Sequence, residues 1–405
     1  MADLQPFRGV RPAEALGQTL CTPPYDVVST AEARAYADGN PRSFFHVSRP
    51  EIGLPPGTDE HSEPVYAQGR RNLERFFAEG WLRQDDEACF YLYRQRMGAH
   101  VQTGVVALAR VDEYDQGLIR KHELTRPDKE DDRTRHIDTL GGNDEPVFLT
   151  YRAVPSIGAL MEEGMRSSPQ YDFTTEDGIG HTFWRVNGSL NTRLTAAFHE
   201  VPMLYIADGH HRSAAASRVH SLRSQRGESG GHSRFLAVVF PHDQMRILAY
   251  NRVVKDLNGL SPEAFLARLG ERFEVTRGQS KTQDRAHQFG MYLEGAWYQL
   301  TARPGSFGAT PTEELDVSIL QNNVLGALLG IRDPRKDERI QFVGGIRGTE
   351  ELERLVDSGA WRVAFSLPPT SLEQLMTIAD AGEIMPPKST WFEPKLRSGL
   401  VLHLF

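Results

Sequence analysis

The run Tyr205-Ile206-Ala207-Asp208-Gly209-His210-His211-Arg212-Ser213-Ala214-Ala215-Ala216 carries the densest set of chemical groups in this sequence. An apolar stretch ends at Ala207, a glycine permits a tight turn, and alanines open a helix. The first amides of a helix have no intrahelical acceptor and carry about half a positive charge, so this junction suits phosphate. Gly209 lets backbone approach a ligand closely. His210, His211 and Arg212 add donors, and Arg212 can grip two phosphate oxygens at once. Asp208 can meet Mg2+ or a substrate hydroxyl. A junction in which Asp208 only caps the helix would share part of this pattern. The convergence of an aspartate, two histidines and an arginine favours a binding turn.

Two further segments offer chemistry. Residues 121–136 are dense in charge, and Pro127 suits the first turn of a helix. On that helix Asp128, Asp132 and Arg135 or His136 share one face, an arrangement that a solvated, ion-paired face also explains. Glu123 precedes the helix between His122 and Leu124, where a carboxylate could act as general base toward a hydroxyl, although a surface glutamate is the better reading of the sequence alone. Residues 385–395 combine prolines and aromatics with Lys388, Ser389, Thr390 and Lys395, which can contact an anion. A loop packed through Trp391 and Phe392 would look alike. His122, Arg135, His136, Lys388, Ser389 and Lys395 are therefore candidate substrate or phosphate contacts. Adjacent His210 and His211 point in different directions, and neither has a partner at helix-ligand spacing, so they give little support to zinc. No P-loop, Gly-x-Gly-x-x-Gly or Gly-x-Ser-x-Gly pattern occurs.

The elements that must position these groups can be read locally. Ser29 and Glu32 form a capping-box pattern, and 66–79 is an amphipathic helix. Residues 90–96 and 102–111 are strands of a hairpin, and 146–151, 183–186 and 203–207 are further strands. Residues 235–240 and 245–254 are expected to form a second hairpin. From about residue 260 helices alternate with short strands. The expected domains are 1–89, packed on a core at 90–255, and a C-terminal α+β domain at 256–405.

Composition sets the class. The 405 residues are 39% hydrophobic and 25% charged, as in a globular protein with ample core. A formal net charge of -8 disfavours a nucleic-acid partner bound through bulk charge. Cys21 and Cys89 have no metal-ligand or disulfide spacing. Residues 1–10 have no signal-peptide pattern, and no apolar run reaches the length of about 18 residues that a membrane helix needs. A cytoplasmic protein is expected, with room for a homo-oligomer.

Pro6-Phe7-Arg8-Gly9, Pro24-Tyr25-Asp26-Val27, the 121–136 block, Asp208–Arg212 and 385–395 together resemble the domain-of-unknown-function family numbered 1015, over nearly the whole chain. The Asp-Gly-His-His-Arg run is also similar to the phosphate-binding turn of free serine kinases of the ParB/sulfiredoxin type. The resemblance implies an α/β (α+β) fold with a ParB/sulfiredoxin-like core, and a nucleotide held by Asp208, Gly209, His210, His211 and Arg212. It implies ATP or ADP with Mg2+ at Asp208, and phosphoryl transfer to a small-molecule hydroxyl, free L-serine first. Glu123, His211 and Arg212 would be catalytic. A nucleotide-binding switch of the ParB type and a metal-dependent hydrolase using His210 and His211 are the alternative expectations.

Overall fold

Alternating side chains and one glycine turn start the central sheet. In the computed structural model, which describes residues 1–278, 281, 283 and 285–405, β1 (Tyr91–Met97) folds back on β2 (His100–Arg110). Met97 pairs with His100, leaving Gly98 and Ala99 as a two-residue loop, with Gly98 at φ 59°. Six more strands complete the sheet: β3 (Ile119–Arg120), β4 (Val147–Tyr151), β5 (Tyr171–Thr174), β6 (Ile179–Arg185), β7 (Leu204–Asp208) and β8 (Arg234–Pro241). Their order is β3-β7-β4-β8-β2-β1-β6-β5. Two neighbouring pairs run parallel, β3 with β7 and β4 with β8, and the other pairs are antiparallel.

Helices cover this sheet. Those that matter below are α1 (Thr30–Ala37), α2 (Glu63–Ala78), α3 (Pro127–Leu140), α4 (Pro155–Gly164), α5 (Ser189–His199) and α6 (His210–Gln225). The Ser29 capping box is present at α1. Pro127 sits in the first turn of α3, and Gly141 ends it in the left-handed region at φ 73°. The main core joins Val105, Ala107, Leu149, Ile206 and Val239 of the strands to Ile157 and Met161 of α4 and Leu194 and Phe198 of α5. A smaller cluster, Ile137, Ala215 and Val219 with Phe405 against it, joins α3 to α6. The alanine run keeps that helix narrow enough to lie close to its neighbours, and Ala214, Ala215 and Ala216 are all buried.

The expected hairpin of 235–240 with 245–254 does not form. Strand β8 pairs with β2 on one edge and β4 on the other, so both of its hydrogen-bonding edges are taken. Strand β9 (Tyr250–Val254) belongs to a different sheet, whose other members are β10 (Phe273–Arg277), β11 (Gln288–Leu293), β12 (Ala296–Ala302), β13 (Ile340–Gly344) and β14 (Val363–Ser366). That sheet is antiparallel throughout, in the order β10-β12-β11-β14-β9-β13.

By its internal contacts the chain divides into two compact units, Met1–Met245 with Pro394–Phe405, and Arg246–Glu393. The final residues thus group with the N-terminal segment and the first sheet, whereas the sequence expectation put all of 256–405 together. Backbone pairing explains the grouping. Val10 bridges Leu402, Thr22 bridges Ser398, and His403 pairs with Asn143. The N-terminal segment is tied down in the same way, Gln5 to Leu108 and Phe7 to Cys89. Among the described residues no helix is long and apolar enough to cross a membrane.

Candidate functional site

Strand β7 is buried along its length until Asp208, and its register shifts between Ile206 and Asp208. The irregularity ends the ladder just before Gly209. Gly209 is the residue preceding α6, at φ 95° and ψ 30°, and among the described residues no side chain caps the helix. Ser213 N donates to Gly209 O, the first bond of the helix. The N–H groups of His210, His211 and Arg212 therefore have no intrahelical acceptor.

Side chains from distant elements meet this turn. Asp208 Oδ1 accepts from Gly209 N at 2.8 Å, and Oδ2 accepts from Lys395 Nζ at 2.7 Å. Lys395 is itself held by β1, since Gln95 Nε2 donates to its carbonyl at 2.8 Å and Gln102 Nε2 donates to Gln95 Oε1 at 3.0 Å. Burial works to raise the Asp208 pKa, but the Lys395 and Arg212 charges outweigh it and hold the carboxyl well below its usual range.

The Arg212 guanidinium lies against Gly209. A Cβ on that glycine would come within 3.1–3.4 Å of it. Arg212 Nη1 donates to Pro146 O and stands 4.0 Å from Glu145 Oε2. Burial works against its charge, yet Asp26, Glu145 and Asp208 outweigh that and keep it a cation. Glu145 Oε1 accepts from Tyr25 N at 3.0 Å and from Ser398 Oγ at 2.7 Å. Burial pushes the Glu145 carboxyl up to about 7 against the pull of the Arg212 charge. A small cavity lined by Arg133, Asp144, Glu145 and Arg212 adjoins this pair.

His211 is half-buried, and its Nε2 accepts from Arg126 N at 3.1 Å. That bond needs a lone pair on Nε2, so the neutral ring carries its proton on Nδ1. Burial lowers the His211 pKa, which favours the neutral ring. His210 turns the other way and is buried. Its Nε2 lies 3.4 Å from His122 Nε2, with the rings edge to face at 86°. Burial lowers both pKa values, that of His122 to about 4, so both rings are neutral near pH 7. Ligand atoms of His122, Glu123 and His210 lie within 4.8 Å of one another.

The structure therefore gathers Asp208, Gly209, His210, His211, Arg212, Lys395, His122 and Glu123 around the β7–α6 turn. Other expected contacts are engaged elsewhere. Arg135 Nη1 donates to His61 O at 2.8 Å, and its guanidinium pairs with Glu63 and covers the Tyr66 ring. His136 is buried with its Nε2 2.9 Å from Asp144 Oδ2. Lys388 and Ser389 belong to the second unit, where the Lys388 carbonyl accepts from Arg252 Nη2 at 3.0 Å and Ser389 Oγ donates to Pro386 O at 2.6 Å.

Three residues near the turn were not singled out as site residues from sequence. Asp26 is exposed, and its charge is the strongest acting on both His211 and Arg212. Glu145 anchors Arg212, and Arg133 covers the Tyr25 ring at 4.0 Å. The Pro24-Tyr25-Asp26 and Asp144-Glu145-Pro146 strings were visible, but neither has a spacing that points to residues 208–212.

Gly209→Ala tests the local geometry. A non-glycine residue in the left-handed region costs about 1–2 kcal/mol, and the new methyl would crowd Arg212. The variant should melt at lower temperature and bind an anion more weakly at the turn, as read by calorimetric titration with nucleotide. Unchanged melting and affinity would mean that the turn does not need glycine.

Fold and site together define a mixed α/β protein with a strand-glycine-helix turn flanked by cations. The chain belongs to the family described as protein of unknown function DUF1015, whose pattern matches residues 4–318. No curated protein matches it. Among solved structures, it is similar to a free serine kinase in complex with AMP, at 16% identity and a TM-score of 0.37 over 73% of this chain and 92% of that one. It is similar to SbnI with a C-terminal truncation from Staphylococcus aureus, at 13% identity and a TM-score of 0.40 over 74% and 87%. A conserved hypothetical protein from Pyrococcus furiosus matches at 16% identity and a TM-score of 0.35 over 73% and 95%.

Proposed function

We propose that this protein is a phosphotransferase whose ParB/sulfiredoxin-like core holds ATP or ADP at the β7–α6 turn and passes a phosphoryl group to the hydroxyl of a small metabolite. The observation that carries this reading is the uncapped start of α6 after a left-handed glycine, with Lys395 and Arg212 beside it. Phosphoryl transfer is mostly positioning and charge stabilisation, which such a turn can supply. The amides of residues 210–212 meet phosphate oxygens. His211 donates from Nδ1, and Arg212 offsets charge on the transferred group. Glu123 takes the proton of the acceptor hydroxyl as its oxygen bonds to phosphorus and the bond to the nucleotide oxygen breaks. The motif's likeness to free serine kinases puts L-serine first among acceptors.

Mg2+ takes oxygen ligands, and Asp208 has both oxygens engaged by Gly209 and Lys395. Each oxygen keeps a further lone pair, so Asp208 could meet Mg2+ beside Lys395, and the ion would offset charge on the phosphates.

The test is incubation with ATP or ADP, Mg2+ and a pool of hydroxy-metabolites that includes L-serine, with mass detection of products. A phosphorylated product that needs the nucleotide is expected. Nucleotide bound without turnover of any acceptor would replace the enzyme with a switch.

A further inference from the structure

We propose that His122, His210 and Glu123 form a site for a divalent transition-metal ion of the zinc class, set into the same end of the first sheet as the phosphate turn. The topology brings these residues together. Strands β3 and β7 are parallel neighbours, with Leu204 opposite Ile119 and Tyr205 opposite Arg120. Parallel strands leave the sheet at the same end. The chain after β3 reaches His122 and Glu123, and the chain after β7 turns through Gly209 into His210. Residues 88 apart in sequence thus meet through two local exits.

The spacing of the two donors suits an ion, and the same pair makes a long ring-to-ring hydrogen bond. The two Nε2 atoms are 3.4 Å apart. Two imidazole nitrogens on one tetrahedral zinc, each at about 2.0–2.1 Å, are separated by about 3.3–3.4 Å. An N–H···N contact between neutral rings would be expected near 3 Å, about the usual hydrogen-bond distance. His122 is 2% exposed, and among the described residues its Nδ1 has no hydrogen-bond partner. Nε2, the atom that faces His210, is the nitrogen His122 would offer an ion. Glu123 adds a carboxylate oxygen to the two nitrogens. Two imidazoles and one carboxylate select zinc-class ions over Mg2+ or Ca2+, which prefer all-oxygen shells. His211, the other half of the histidine pair, plays no part, because its Nε2 is spent on Arg126 N.

Three protein ligands leave a position open, and an ion there can take an oxygen of the acceptor. Ion binding itself goes beyond the phosphotransfer reading and does not depend on it.

The experiment uses tag-free full-length protein, with metal content measured by elemental analysis after purification without chelator. The metal-stripped protein is then titrated with Co2+ and followed by its ligand-field absorption. One tightly held ion per chain is expected. His122→Ala and His210→Ala should each weaken Co2+ binding by more than about 100-fold and Glu123→Gln by about 10-fold or more, by comparison with the losses known for groups that only support ligands. His199→Ala, at an exposed position on α5, should bind as the wild type does. A folded wild-type protein that takes up no ion overturns the site without any variant, and so does an ion retained in both histidine variants. Ion binding without phosphotransfer would retire the kinase and leave the site standing. Phosphotransfer by a protein that binds no transition metal would do the reverse.

Discussion

Arg212→Ala is expected to lower nucleotide-dependent phosphorylation by about 100- to 1000-fold, the loss typical of removing one donor aimed at transition-state charge. It should also destabilise the fold. Arg212 is the cation that faces buried Glu145 and bonds to Pro146 O. Breaking one side of a buried pair costs about 3–5 kcal/mol when the remaining charge is left alone. The cost should depend on pH, with a definite sign. The folded-state pKa of Glu145 already stands above its unfolded value, so the native state holds the extra proton and this group's contribution falls as pH rises through the folded pKa. Removing Arg212 takes away the charge that opposes this rise. The stability deficit should therefore be smaller at pH 6, where the carboxyl is protonated, and larger at pH 8. Denaturant unfolding at the two pH values measures it. The double change Arg212→Met with Glu145→Gln removes both charges and keeps an oxygen for Tyr25 N and Ser398 Oγ. It should recover most of the stability and none of the activity. Full turnover in either variant would remove Arg212 from the mechanism.

Glu123→Gln should give the other large effect, a loss of about 100- to 10,000-fold in turnover, as expected when a positioned base is replaced by its amide. Nucleotide affinity should stay near wild type, because the turn amides, His211 and Arg212 are untouched. Single-turnover rates and nucleotide titration separate the two quantities. A fall in affinity with unchanged turnover would place Glu123 among the nucleotide contacts instead. Glu123→Asp, which keeps the charge on a shorter stem, should fall between the two.

What was legible in the sequence was local. The turn at 205–216 shows itself because an apolar run, a glycine and an alanine run each have a preference that needs no distant partner. The helix opened by Pro127 and closed by Gly141 shows itself in the same way, as does the hairpin of β1 and β2 over Gly98. The failed hairpin at 235–254 marks the limit. Both segments are apolar and extended, but strand character does not name the neighbouring strand, and β8 finds β2 and β4 instead.

The candidate site divides along the same line. Asp208 to Arg212 could be read as a unit because one turn of backbone holds them. Their partners could not. Lys395 lies 187 residues from Asp208, and Glu145 and Asp26 reach Arg212 from separate segments. His210 looked like half of a pair with His211, its neighbour in sequence. A helix points consecutive side chains in different directions, so the ring it meets is His122. The amino-acid sequence alone determined which backbone would turn, begin a helix or extend, because those preferences act between residues a few positions apart. Only the tertiary structure decided which charges neutralise Asp208 and Arg212 and which imidazole faces His210, because strand order and parallel register choose contacts between residues that the chain itself keeps far apart.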